Sequence, residues 1–448
     1  MFEKKKILVF GMARSGYAVA KLLSNFNNNI IITDGKKQNE EHIKNLEEKD
    51  ITFILSNAPE DLLDETFDYL IKNPGIRKDH PCVLKARELG IKVINEMETA
   101  YHFLKDNVTV IGITGSNGKT TTTTLLYEMM KELTSKVHLA GNIGYPLSEV
   151  VLDIKEGDTI VCEISDHQLV DMYDFKTDIS ILTNISRVHL DFHKDFDEYK
   201  SMKKKIFNNH TEHDVALLNK EDIEVLNITK DIKSNKKYFS KNKETDYYIK
   251  DNNIYIGNEK YLSLDEIILK GDHNYENILC ALGVINELGY DLEKVKPILK
   301  TFKGVEHRLE YVTELNERKF YNDSKSTNVN STIIALNSIK SKTILIMGGL
   351  DRGHSFEPLN NHLKNTKLIL SYGETKDRIK KWAYDMNIKT ISLETLKEAT
   401  EEAYKNSEKG DTVLFSPACA SWDQFSDFEA RGTEYKKTIN EIEEGERK

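Results

Sequence analysis

The stretch Val108 to Thr124, VTVIGITGSNGKTTTTT, decides the fold. Its apolar, β-branched start (Val108, Val110, Ile111, Ile113) predicts a buried strand. A glycine-rich turn follows. Lys119-Thr120 then opens a helix whose apolar residues fall at Leu125, Leu126, Met129, Met130 and Leu133, the spacing of one helical face. A strand, a glycine turn and a helix with Lys-Thr at its start can hold nucleotide phosphates. Backbone N–H groups of the turn point inward, and the helix N-terminus favours an anion. Lys119 is placed to reach a terminal phosphate, and the Thr120 hydroxyl to ligate Mg²⁺. The strict G-x-x-x-x-G-K-S/T pattern is not met. Glycines stand at 112, 115 and 118, and Ile113 occupies the first glycine position. The plain alternative is an ordinary strand-to-helix turn that carries a lysine.

Working outward, Ile7 to Phe10 predicts a short buried strand, followed by Gly11-Met-Ala-Arg-Ser-Gly16 and a helix through Tyr17, Val19, Ala20, Leu22 and Leu23. A second strand, Ile30 to Thr33, ends at Asp34. This is the opening of a dinucleotide-type βαβ unit, with an acid where such units meet a ribose or base. The glycine spacing is not G-x-G-x-x-G, which disfavours a nicotinamide oxidoreductase. Further strands are predicted at Phe67 to Lys72, before Asn73-Pro74-Gly75, and at Lys92 to Ile94.

Beyond the glycine turn, Gly141-Asn142-Ile143-Gly144 is a turn carrying an amide, and the apolar run from Asp158 ends in Glu163. A carboxylate at a strand end beside a phosphate loop is the usual place for an acid that holds Mg²⁺. In the helix expected over Phe196 to Phe207, Lys203 falls in the apolar stripe made by Phe196, Tyr199, Ile206 and Phe207, while Lys204 and Lys205 are expected in solvent. A lysine on a buried face must be paired or modified, or it must snorkel outward along its stem. Residues 211 to 270 read as short strands with Asn/Lys-rich turns and no motif. Gly271-Asp-His-Asn-Tyr-Glu-Asn277 opens another helix, its amides suited to capping or to reading a base. From Gly304 onward, strands near Lys319–Tyr321, Thr343–Met347, Leu368–Leu370 and Thr412–Phe415 are each followed by polar or glycine-rich turns, the makings of a second ligand crevice.

At 448 residues the chain is long enough for about three domains. The net charge of −10 argues against a nucleic-acid binder. Cys82, Cys162, Cys280 and Cys419 lack metal or disulfide spacing and fit reduced thiols in a cytoplasm. The three lysines and short apolar run at the start do not make a signal peptide, and no segment is apolar for long enough to span a membrane.

Taken together, TGSNGKTT at the phosphate turn, GNIG at 141 to 144, GDHNYEN at 271 to 277, His307-Arg308, NDSKSTN at 322 to 328, GGLDRG at 348 to 353, SPACASWDQF from 416 and the following FEARG resemble the Mur ligases of bacterial cell-wall synthesis. The resemblance covers nearly the whole chain. The central motifs are shared with folylpolyglutamate synthases. The Asn-Pro-Gly-Ile turn and the NDSKSTN, GGLDRG and SPACAS segments point to the D-glutamate-adding branch.

The resemblance implies an α/β fold of three domains. A Rossmann-like domain over 1–97 would bind the UDP-linked substrate. A P-loop ATPase-like parallel sheet with extra β elements, over 98–303, would bind ATP. A Rossmann-like domain over 304–448 would bind the amino acid. ATP would phosphorylate the carboxylate of UDP-MurNAc-L-Ala, and the D-glutamate amine would displace the phosphate. Gly115, Ser116, Asn117, Gly118, Lys119, Thr120 and Thr121 would cradle ATP. Asn274 and Asn277 would meet adenine, Asp323 the ribose, and His307, Arg308 and Lys325 the phosphates. Two Mg²⁺ ions are implied, one on Thr120 and Glu163 and one on Glu163, His189 and a carbamylated Lys203. Lys119, Glu163, His189 and Lys203 would carry the chemistry. Arg14, Ser15, Asp34, Gly35, Lys36, Gly75, Asn142 and His189 would hold the UDP-linked substrate. Thr327, Arg352, Ser421 and Phe428 would hold D-glutamate. A cytoplasmic monomer without nucleic-acid or membrane partners is expected.

The chain departs from the family pattern after Glu163, where Ser165-Asp166-His167-Gln168 replaces Ser-Ser-Phe-Gln, and before His189, where Arg187 and Val188 replace acids. Both departures lie near the implied metal site. The rival readings are another Mur ligase, a folylpolyglutamate synthase-like amide ligase, and a nucleotide-operated switch that does no chemistry on a second substrate.

Overall fold

The computed structural model describes residues 1–186 and 192–446. They form two compact units, Met1–Phe302 and Lys303–Lys448. The first unit holds two sheets and the second holds one.

The first sheet is parallel throughout. Its strands are β1 (Lys6–Phe10), β2 (Asn29–Asp34), β3 (Thr52–Leu55), β4 (Tyr69–Lys72) and β5 (Lys92–Ile94), in the order β3-β2-β1-β4-β5. The short apolar runs suit strands covered on both faces by helices. The chain reverses direction of travel across the sheet between β1 and β4, and a crevice opens where the two following turns diverge.

The second sheet contains β6 (Thr109–Thr114), β7 (Val137–Gly141), β8 (Thr159–Glu163), β9 (Ile179–Leu182), β10 (Val215–Asn219), β11 (Asn235–Ser240), β12 (Tyr247–Lys250), β13 (Asn253–Ile256) and β14 (Glu259–Ser263). Their order is β14-β13-β12-β11-β10-β9-β6-β8-β7. Only β12-β13 and β13-β14 pair antiparallel. The motif-poor stretch after residue 211 therefore extends the nucleotide sheet, and it includes a short helix, Ile223–Ile228. β6 lies between β8 and β9, so the phosphate turn, Glu163 and the segment from Thr183 leave the same edge.

The third sheet consists of β15 (Glu310–Leu315), β16 (Arg318–Asn322), β17 (Thr343–Gly348), β18 (Thr366–Tyr372), β19 (Thr390–Ser392) and β20 (Thr412–Phe415). The order is β15-β16-β20-β17-β18-β19, with only β15 antiparallel. The turns after β16, β20 and β17 emerge side by side.

The first two sheets are joined through buried carboxylates. Glu98 accepts the backbone N–H groups of Tyr173, Asp174 and Phe175 at 3.0, 2.8 and 3.0 Å. Glu96 accepts the Ser148 N–H at 2.5 Å and is fully enclosed. Burial raises the Glu96 carboxyl to about 7, against the opposing pull of that hydrogen bond. A carboxyl raised on folding contributes stability that is complete below its unfolded value and is lost as pH rises through the folded one. Glu96→Gln removes this dependence. Thermal melts should place Glu96→Gln above the parent at pH 8, with the gap closing near pH 5. A gap independent of pH would show that Glu96 is not the titrating group.

Candidate functional site

β6 delivers Thr114 to a turn with two glycines at positive φ, Gly115 (147°) and Gly118 (84°). A Cβ on Gly115 would lie 1.9 Å from Thr183 Oγ1, and one on Gly118 would lie 2.3 Å from Asn277 Oδ1. Side chains are excluded there by contact as well as by conformation. Thr183 Oγ1 and Asn184 Nδ2 donate to the Asn117 carbonyl at 2.6 and 3.0 Å, and Asn117 N–H donates to Asn184 Oδ1 at 2.9 Å. The helix Lys119–Leu133 starts directly from Gly118, with Leu125, Leu126, Met129 and Met130 in the core. Lys119 Nζ lies across the turn, donating to the carbonyls of Gly115 and Ser116 at 2.8 and 3.2 Å. Ile113 is an interior residue of β6, so the strand runs past the strict motif's first glycine position and the turn starts at Gly115.

Glu163 ends β8 with its carboxylate enclosed. Its Oε1 accepts from Asn142 Nδ2 at 2.6 Å, while its Oε2 has no hydrogen-bond partner among the described residues. A buried carboxylate oxygen without a donor, next to the phosphate turn, fits a hard divalent cation. Thr120, buried on the first turn of the helix, is the matching hydroxyl. His189, expected as a metal ligand, and Arg187 and Val188 lie outside the described residues.

Lys203 sits on the helix Phe196–Lys204 with 0% exposure. It does not snorkel. Its Nζ is 3.2 Å from Asp166 Oδ1 and 3.2 Å from Thr114 Oγ1. Asp166 Oδ2 is 2.7 Å from His193 Nε2, also buried. Burial pushes the Asp166 carboxyl up, but the His193 hydrogen bond and the Lys203 charge outweigh it and hold the carboxyl far below the ordinary range. Burial pulls the Lys203 ammonium down, against the opposing charge and hydrogen bond of Asp166. Tyr199, one turn before Lys203, hydrogen-bonds Ser116 of the phosphate turn through its hydroxyl at 2.7 Å. Lys204 pairs with Asp231 in solvent, as expected. Lys205 is half-buried and does not point freely into solvent: its Nζ donates to the Val170 carbonyl at 2.7 Å and lies over Tyr173. The apolar face ends in a 3₁₀ turn, Lys205–Phe207, which turns Lys205 back against the domain.

The turns after β1, β2 and β4 gather Arg14, Ser15, Asp34, Gly35, Lys36 and Gly75. Asp34 accepts the N–H groups of Met12 and Lys36 at 2.8 and 2.9 Å. Asn73 Nδ2 reaches Ser15 Oγ at 3.3 Å, and Asn73 Oδ1 accepts from Gly75 N–H at 3.1 Å. Arg14 lies over the Tyr145 ring. A cavity of about 600 Å³, lined by Met12, Arg14, Tyr17 and Gln38 among others, adjoins these turns. Near the phosphate turn, Thr122 Oγ1 donates to Asn277 Oδ1 at 3.2 Å, and Asn277 Nδ2 is 3.4 Å from Asn274 Oδ1. Asn277 therefore lies beside Gly118, Asn274 donates to the Lys270 carbonyl at 2.9 Å, and among the described residues no side chain caps the helix at Gly271.

In the second unit, Asp323 is buried and accepts from Leu309 N–H and Ser416 Oγ at 3.0 and 2.7 Å. Burial raises its carboxyl to about 6, against the pull of these donors. His307 is held by Asn322 Nδ2 at 2.9 Å and carries the backbone N–H of Lys325 on its carbonyl at 2.9 Å. Arg308 follows it and adds positive charge near Asp323. Lys325 lies over Phe428, and Arg352 is exposed with its guanidinium 4.8 Å from the Trp422 ring centre. Thr327 follows in the turn after β16, and Ser421 in the turn after β20. Arg431 has no expected role from sequence, yet it ties these turns together. It is fully buried and donates to Ser324 Oγ, Ser324 O and Cys419 O at 3.1, 2.8 and 3.0 Å. Its place in FEARG was the available signal.

Three family models match the chain. They are the Mur ligase MurD-like N-terminal domain over residues 5–95, the Mur ligase middle domain over 113–285, and the Mur ligase glutamate ligase domain over 307–419. The chain is 42% identical over 445 residues, 98% of both sequences, to the UDP-N-acetylmuramoylalanine–D-glutamate ligase of Bacillus thuringiensis (strain Al Hakam). It is equally similar to the protein of that name from Bacillus anthracis. Among solved structures, it resembles the UDP-N-acetylmuramate-alanine ligase of Thermotoga maritima with a TM-score of 0.60 at 19% identity, covering 98% of this chain and 100% of that one. The MurF ligase of Thermotoga maritima in complex with ADP aligns with a TM-score of 0.55 at 17% identity, covering 98% and 96%. The chain belongs to the Mur ligase family.

The Asp166–Lys203 contact gives a stability test. Removing one partner of a buried ion pair strands the other charge, at a cost of about 3–5 kcal/mol. Asp166→Ala should lower urea-unfolding stability by that amount. A loss below about 1 kcal/mol would show that another group compensates the ammonium.

Proposed function

We propose that this chain uses ATP to join D-glutamate to UDP-N-acetylmuramoyl-L-alanine in peptidoglycan precursor synthesis. The observation that carries the proposal is 42% identity over 98% of the chain to relatives named for that ligation. The phosphate turn, the unpartnered Glu163 oxygen and the buried Lys203 support it as a site for phosphoryl transfer. Residues 1–97 would bind the UDP-linked substrate, 98–303 ATP and 304–448 the amino acid, in a cytoplasmic monomer. Among the described residues no helix is long and apolar enough to cross a membrane.

A free carboxylate does not acylate an amine at a useful rate. In the proposed reaction a carboxylate oxygen of the L-alanyl group attacks the γ-phosphorus, and the bond to ADP breaks. The D-glutamate amine attacks the acyl carbon, and the tetrahedral species expels phosphate. Both steps build negative charge on oxygen. Lys119 and the N-terminus of its helix are fixed in place to stabilise that charge. Thr120 and Glu163 would hold one Mg²⁺, and Glu163, His189 and a carbamylated Lys203 would hold a second, which together would supply further positive charge to those oxygens. Burial supports carbamylation because it favours the neutral amine that reacts with CO₂, and Asp166 opposes it. Arg14, Ser15, Asp34, Gly35, Lys36, Gly75 and Asn142 would hold the UDP-linked substrate. Thr327, Arg352, Ser421 and the backbone at Phe428 would hold D-glutamate's carboxylates.

Phosphate release should require both UDP-MurNAc-L-Ala and D-glutamate when D- and L-amino acids are compared. Release indifferent to both substrates would favour the nucleotide switch, and preference for another amino acid would place the chain elsewhere in the family. Lys119→Ala should lower kcat by about 10²–10³. Retained turnover would remove Lys119 from the chemistry. Arg352→Ala should raise KM for D-glutamate far more than KM for ATP, and equal rises would contradict its role.

A further inference from the structure

Lys72, the last residue of β4, and Asp171 form an ion pair with N···O 2.7 Å and both side chains 0% exposed. Neither Asp171 oxygen meets a donor in line, so charge carries the contact. Arg87 is a second, half-exposed cation 3.7 Å from Asp171 Oδ1. A desolvated pair adds little stability over a well-packed apolar one, so its presence points to geometry.

The surrounding contacts define that geometry. Lys72 Nζ also donates to the Ile76 carbonyl at 2.8 Å, closing the turn Asn73-Pro74-Gly75-Ile76. That turn reaches the first glycine turn through the contact between Asn73 and Ser15. Asp171 lies two residues beyond the helix Asp166–Leu169, whose first residue holds Lys203 and His193. Asn95 grips the helix itself, its amide donating to the Gln168 carbonyl, and Glu98 grips the chain just beyond Asp171 through the N–H groups of 173 to 175. One short segment thus has the Asp166–Lys203 cluster at one end and, through Lys72, a tie to the turns of the first sheet near the other.

We infer that Lys72 and Asp171 are positioning residues that fix the turn at 73–76, and with it the UDP-bearing substrate, relative to the phosphate turn. This inference rests on the proposed ligase reading for the identity of that substrate. Lys72→Met keeps the length of the side chain and removes both contacts of Nζ. Lys72→Met/Asp171→Leu also removes the stranded carboxylate, so the packing can recover without the ion pair.

The experiment measures KM for UDP-MurNAc-L-Ala and for ATP, the melting temperature, and UDP binding by calorimetry on the full chain. Lys72→Met should raise KM for the UDP-linked substrate about tenfold, weaken UDP similarly and leave KM for ATP within about twofold. The double variant should melt near the parent yet keep the raised KM, because the Ile76 carbonyl is still released. Recovery of KM together with melting temperature would make the pair purely structural and overturn the inference. Unchanged UDP affinity and KM in Lys72→Met would overturn it while leaving the ligase reading intact. A parent that binds UDP but does not ligate, with UDP weakened in Lys72→Met, would remove the ligase reading and support the positioning role.

Discussion

A lysine sealed beneath the phosphate turn, an ammonium in its unmodified form, is the constraint on which the central sheet depends. Lys203 has no access to water, so its charge must be met inside the protein. Asp166 meets it, His193 orients Asp166, and Thr114 takes a further contact at the end of β6. Each partner comes from a different element leaving the same sheet edge. The helix Phe196–Lys204 is therefore seated against the turn it serves, and Tyr199 on that helix fastens Ser116. Displacing the helix would expose or strand a charge, which is far costlier than sliding an apolar contact.

The three sheets place their chemistry in the same way. Parallel strands deliver turns to one edge, and side chains in those turns are tied to one another before any ligand arrives. In the first sheet Asn73 spans to Ser15, in the second Asn184 spans to Asn117, and in the third Arg431 spans Ser324 and Cys419. These ties reduce the freedom that binding would otherwise have to remove.

The sequence foretold what is local. The strand, glycine turn and helix around Lys119 follow from periodicity and turn chemistry, as does the delivery of Glu163 at a strand end. The apolar stripe placed Lys203 inward, but its partner was not legible. Asp166 stood out only as a departure from the family pattern, and His193 carried no signal. Their meeting depends on how β8 and the later helix return to one edge, which neither spacing nor composition encodes. Lys205 shows the same limit. Helical periodicity pointed it to solvent, whereas the 3₁₀ turn that ends the helix brings it to the Val170 carbonyl. The helix at Ile223–Ile228 carries no such signal, because its 6 residues are too few for apolar positions to separate a helical period from a short strand.

The segment from Asp166 to Phe175 explains why the departure from the family pattern at Asp166 need not weaken the fold. A buried Asp in place of Ser would be unfavourable on its own. Here it lands between a buried cation and a buried histidine, and polar groups of the segment that follows meet Asn95, Glu98 and Lys72 from the first sheet's side. Charge satisfied across elements is more exacting than apolar packing, because an error of one residue leaves a bare charge where a slipped apolar contact would leave only a small void. The segment that joins the first two sheets is thus specified by its polar groups, while the apolar cores on either side supply the bulk of the stability.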